Sequence, residues 1–177
     1  MPLQVGGQAI AAIHYGSTPI AEGWIWDGAQ WVPVFSTAVA FADSGMDKSG
    51  SYAATQLNTW LTLPSWVPRA GYADTTIESN GIAVPAGVTV DCSMRVSLAT
   101  DDSYGGGLRS ARIVGAGGAV IASAQSPSQG SAITATGRYT PDVDAVVTVQ
   151  FSTTSSSFDR HVVNGGSGTY LTVDVVA

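Results

Sequence analysis

One cysteine, one lysine and two histidines are all that this 177-residue chain holds of those types. A lone Cys92 cannot build an intramolecular disulfide framework or a cysteine-rich metal site. His14 and His161 are too few for most catalytic zinc sites. With 7 basic against 13 acidic residues and a net charge of −6, the chain has no basic patch for a phosphate backbone. It gains no attraction to anionic lipid either, so neither nucleic acid nor membrane insertion is expected. No apolar run approaches the roughly 18 residues that span a bilayer. The start, Met1-Pro2-Leu3-Gln4-Val5-Gly6-Gly7, lacks the basic region and apolar stretch of a signal peptide, so synthesis in a cytoplasm without secretory export is expected. Charge as a whole is scarce, at 11% of residues, less than half of the roughly 25% usual in soluble domains. What is abundant is Gly, Ser, Thr and Val within a 45% hydrophobic composition, and that combination belongs to all-β proteins with a real core.

All five tryptophans, Trp24, Trp26, Trp31, Trp60 and Trp66, fall in the first 66 residues. That asymmetry predicts a β-rich attachment module over 1–36, an extended linker over 37–71 and a larger domain over 72–177. In the first module, strands are expected at Gln8–Tyr15, Ile20–Trp26 and Gln30–Phe35. Gly16-Ser17-Thr18-Pro19 and Asp27-Gly28 supply the turns between them. A meander this small is marginal alone, so it is expected to dock on something. Residues 37–50 lose periodicity and gather Ala, Ser, Gly and Asp, which reads as linker. A short strand or helical turn is expected around 53–63, and the prolines of Pro64-Ser65-Trp66-Val67-Pro68 force extension.

From Tyr72 the alternation is strong. In Val88–Leu98 every even position is apolar and every odd one polar, which puts Val88, Val90, Cys92, Met94, Val96 and Leu98 on one core-facing side. Further strands are expected at 108–114, 119–124, 132–139, 145–151, 158–163 and 170–176, separated by Gly, Pro and Asp turns. Seven or eight strands at such spacing, without a helix, predict a β-sandwich or jelly roll.

Chemistry-bearing clusters are sparse. Asp159-Arg160-His161 could suggest a serine-hydrolase triad, but neighbours on a strand face opposite ways and no Gly-x-Ser-x-Gly elbow occurs. Asp101-Asp102 and Asp142 with Asp144 lie in expected turns, where aspartates bond backbone, so neither acid/base catalysis nor calcium binding is required. Gly105-Gly106-Gly107 and Gly115-Ala116-Gly117-Gly118 are turns, since no Lys-Ser/Thr follows. Cys92 is read as a small core residue, and Tyr104, Phe151, Phe158 and Tyr170 as core or interface. No catalytic residue, metal ligand or cofactor is expected, and the chain is read as a non-enzyme. The candidate site is Trp24, Trp26 and Trp31 on one small hairpin. They either fill its mini-core or anchor it to a partner protein, with sugar stacking as a third use.

Ile82-Ala83-Val84-Pro85-Ala86-Gly87-Val88, the alternating strand after it, Arg109–Gly118, Thr140–Val147 and a last strand at the carboxyl end together resemble the tumour-necrosis-factor-like, or complement-type, jelly-roll heads. The resemblance implies a homotrimer packed by apolar and aromatic side chains along a threefold axis; similar heads sometimes bind calcium near it. Gly16–Ile20, Gly23-Trp24-Ile25-Trp26-Asp27-Gly28 and Leu63–Pro68 resemble segments of minor tail and other virion proteins of phages infecting actinobacteria. That resemblance implies a structural component of a tailed phage particle, at the tail tip as a minor tail protein. Its partners would be other virion proteins through the first module and a host-surface glycan or protein. A trimeric capsid decoration or cement protein is the alternative, followed by a carbohydrate-binding module or a complement-type secreted head.

Overall fold

A computed structural model describes residues 4–5, 8–9, 13–15, 18–20, 22–26, 28–36, 41–99, 107–126, 131–154 and 162–176. The chain divides into two units, Met1–Ala40 and Phe41–Ala177.

Among the described residues of the first unit there are three antiparallel two-stranded ladders. Strand β1 (Gln4–Val5) pairs with β2 (Gln8–Ala9), β3 (Ile13–Tyr15) with β4 (Thr18–Ile20), and β5 (Glu22–Trp26) with β6 (Trp31–Ser36). The expected strand over 8–15 is thus split between two ladders. Thr18-Pro19, expected in a turn, already belongs to the returning strand, with Pro19 opposite His14. A two-stranded ladder is all edge, so a proline without an N–H fits there. Gly28 supplies the φ of +101° between β5 and β6, a conformation that a side chain would oppose.

The second unit begins with β7 (Ser44–Lys48), β8 (Tyr52–Ala53), β9 (Leu61–Thr62), β10 (Trp66–Pro68) and β11 (Ile77–Glu78). Strands β12 (Gly81–Val84), β13 (Val90–Ser97), β14 (Arg109–Val114) and β15 (Val120–Ser126) follow. The chain continues through β16 (Ala132–Tyr139), β17 (Ala145–Thr153), β18 (Val162–Val163) and β19 (Gly166–Val175). One sheet runs β10-β7-β19-β13-β16, and the other runs β11-β12-β17-β14-β15 with β9 also on β17. Among the eight long strands, only the β14–β15 hairpin stays within a sheet; every other successive pair crosses between sheets. That is a jelly-roll β-sandwich.

The alternating segment forms β13 as expected. Val90, Cys92, Met94, Val96 and Leu98 are all at most 2% exposed. They meet Val147, Val149 and Phe151 of β17 and Ala111 and Ile113 of β14 in one core. Each such burial removes apolar surface worth about 1.5–3 kcal/mol per side chain.

The extended linker expected over 37–71 is corrected over its described part, residues 41–71. Strand β7 lies inside the five-stranded sheet, between β10 and β19, and Met46, Leu63 and Trp66 join the core. The pattern Ser44-Gly45-Met46-Asp47-Lys48 has a single large apolar residue, so its strand character comes from tertiary pairing rather than from periodicity. The inward Lys48 is buried without a carboxylate partner among the described residues; its Nζ donates to the carbonyls of Ser49 (2.9 Å) and Gly50 (3.0 Å). Burial disfavours the ammonium and lowers the Lys48 pKa below its ordinary value. The folded state therefore binds fewer protons than the unfolded chain between that lowered pKa and about 10.4. Stability gains a contribution from Lys48 as pH rises through that window, and carries the full penalty below it. Chemical denaturation of Lys48→Met against wild type from neutral to alkaline pH should show the gap between the two proteins narrowing or reversing in favour of wild type; parallel curves would refute the assignment.

Candidate functional site

The tryptophan hairpin is placed by β5 and β6. Their register sets Trp26 directly opposite Trp31 and Trp24 opposite Pro33, with a bulge between Gly23 and Trp24. Positions 24, 26 and 31 therefore fall on one face of the ladder, as the spacing predicts. The Trp26 side chain is 52% exposed. An indole kept half in water on a two-stranded ladder is available to a partner surface.

In the jelly roll, the outer face of the five-stranded sheet carries several polar pairs. Arg138 meets Asp91 through two bonds of 2.9 Å, which hold the Asp91 carboxyl below its ordinary pKa. Arg69 pairs with Asp47, and its guanidinium lies 4.2 Å over the Tyr170 ring. Tyr72 rests on Gly45, where an added Cβ would come within 2.7 Å of the ring, and its hydroxyl donates to Asp174 at 3.2 Å. Burial, then the Asp174 charge, raises the Tyr72 pKa.

The outer face of the six-stranded sheet is different. Register aligns Thr62, Gln150, Arg112 and Ser123 in one row across β9, β17, β14 and β15. The next row holds Ser152, Ser110 and Gln125. Arg112 lies 4.2 Å over the ring of Trp60, and its Nε donates to Gln150 Oε1 at 2.9 Å. Gln150 Nε2 in turn reaches Thr62 Oγ1 at 3.5 Å. Sequence reasoning missed this platform. Trp60 falls within the expected linker over 37–71, and Arg112 within the Arg109–Gly118 segment of the jelly-roll resemblance, so nothing in the sequence joins them.

Other sequence candidates do not assemble a site. Asp101, Asp102, Tyr104, Phe158 and Asp159-Arg160-His161 lie outside the described residues. Asp144 accepts the Ala86 amide at 2.9 Å, the backbone role expected of a turn aspartate. Phe151 is a core residue and Tyr170 carries Arg69 on its ring. Among the described residues, no three His, Cys, Asp or Glu side chains are grouped to hold a metal ion.

Cys92 is buried, and burial pushes its thiol up to about 12. The native protein at pH 8 should therefore resist thiol reagents, with labelling limited by unfolding and complete in denaturant. Rapid stoichiometric labelling of the folded chain would contradict this.

No family model matches the chain, and no curated protein matches it. Among solved structures, similarity extends to the Clostridium thermocellum endo-1,4-β-D-xylanase 10B, whose CBM22-1 and GH10 modules were crystallised with xylohexaose. The match covers 76% of this chain and 25% of that one, at 14% identity and a TM-score of 0.30. The chain thus spans about a quarter of the length of that structure.

Proposed function

We propose that the chain is a non-enzymatic structural protein of a tailed-phage virion, a minor tail protein at the tail tip. In this reading the jelly roll assembles as a homotrimer and adheres to the host surface, while the tryptophan hairpin fixes it to another virion protein. The observation that carries the proposal is the pairing of a jelly-roll sandwich with a separate hairpin unit that presents Trp26 to solvent. A unit of two-stranded ladders is marginal alone, so a partner surface that covers Trp26 would stabilise it. Association in threes would add buried surface to a chain poor in charges and without disulfides.

Sedimentation should give a mass near three times 18.1 kDa. Trp26→Ala should leave that mass unchanged and strongly reduce incorporation into particles, by about tenfold or more if Trp26 is a central anchor. A stable monomer at all concentrations would refute the trimer, and normal incorporation of the variant would refute the docking role.

A further inference from the structure

We infer that the Trp60–Arg112 platform on the outer face of the six-stranded sheet binds a carboxylated sugar of a glycan. This deepens the adhesion part of the proposed function and rests on it. Arg69 and Arg138 are each closed by a carboxylate, Asp47 and Asp91, whereas Arg112, like Arg95 on the other sheet, has none among the described residues, and of these two Arg112 is the one stacked on an aromatic ring. Its Nε is committed to Gln150, which sets the guanidinium plane and leaves the terminal amino groups without a protein acceptor among those residues. The strands of this sheet carry one carboxylate, Glu78, on edge strand β11 at the other side of β12. In a chain of net −6, this is a face where an anionic group meets a cation rather than another acid.

A planar guanidinium donates two parallel hydrogen bonds to a carboxylate, and the stacked contact with Trp60 holds it in place before any ligand arrives. Arg112 covers one face of the Trp60 ring, and the half-buried indole adds apolar surface beside the guanidinium against which the C–H groups of a sugar can pack. Around this pair, Thr62, Ser123, Gln125, Gln150 and Ser152 present hydroxyls and amides suited to sugar hydroxyls. A nucleic-acid strand fits poorly, because one arginine cannot balance a row of phosphates against the chain's net negative charge. A single carboxylate on a polyhydroxylated ring matches all three features.

The test uses the intact chain with paired probes, titrated by calorimetry and ligand-observed NMR. Trigalacturonate is compared with its methyl ester, and sialyllactose with lactose. At least one acid is expected to bind about tenfold or more tightly than its neutral partner, the loss that follows when a charged hydrogen-bonded pair is removed. Arg112→Gln should erase that preference. Arg112→Lys, which keeps the charge but not the planar fork, should lose most of it. Trp60→Ala should weaken both forms, and the acid more, because the ring also holds the guanidinium. Thermal unfolding of each variant at the wild-type midpoint shows that the fold is retained. Equal binding of acid and neutral partners, an unchanged preference in Arg112→Gln, or no binding of either pair would overturn the inference. Sedimentation of the same samples separates the two proposals. A trimer that binds neither acid sinks the site and leaves the virion reading, whereas a monomer that binds keeps the site and loses the trimer.

Discussion

A chain cut back to residues 72–177 is expected to lose cooperative folding, while one cut to 41–177 keeps it. The shorter piece lacks β7, which holds β19 through the pairs Met46–Leu171, Gly45–Thr172 and Ser44–Val173. It also removes Met46, Leu63 and Trp66, of which the first two are fully buried. Three such side chains at about 1.5–3 kcal/mol each are comparable to the whole stability of an ordinary domain, about 5–15 kcal/mol. The exposed edge of β19, with unpaired N–H and C=O groups, would then template aggregation. The longer piece retains every strand pair of the two large sheets. Thermal unfolding followed by circular dichroism checks both. If residues 72–177 melt cooperatively at the midpoint of 41–177, the place of β7 in the fold is wrong.

That expectation marks where the sequence could be read and where it could not. Strand β16 occupies Ala132–Tyr139 as predicted, and the inward set of β13 follows the period-two alternation of Val88–Leu98. Both strands pair along most of their length with a long neighbour and face one core, so side-chain alternation alone declares them. Strand β7 declares nothing by itself. Ser44 donates to the Ala42 carbonyl at 3.0 Å and Lys48 to two carbonyls, so the inward polar residues recover part of what their burial costs. Only the neighbours β10 and β19 make the segment a strand.

The same distinction holds for the surfaces. The three-tryptophan hairpin is local: the Trp-x-Trp spacing and the Asp27-Gly28 turn fix it within a few residues. The Trp60–Arg112 platform is not. Trp60 stands in a stretch without periodicity, and it comes beside Arg112 only because β9 and β14 both pair with β17. A crossed sandwich builds surfaces from segments far apart in the chain, and no short motif announces them.

Strand β17 is therefore where a single substitution should reach furthest. Phe151→Ala is expected to cost about 3–5 kcal/mol, the usual loss when a buried phenylalanine leaves a cavity. Phe151 is fully buried and stands opposite Ala111 of β14 and Leu61 of β9, so no larger neighbour on the adjoining strands can fill the space. For a unit of this size the loss corresponds to roughly 10–15 °C in midpoint. Val120→Ala, at a side chain 50% exposed, serves as the comparison and should stay within about 0.5 kcal/mol of wild type. Strand β9 has β17 as its partner and only two paired residues, Leu61 and Thr62. Loosening at Phe151 should therefore free β9 before the rest of the sheet, and Trp60 with it. Hydrogen exchange at Leu63, whose amide donates to the Val149 carbonyl at 2.9 Å, reports that event. Its protection should fall by more than that of β13 amides in the variant, and an equal fall across both sheets would mean that β9 is not held through Phe151.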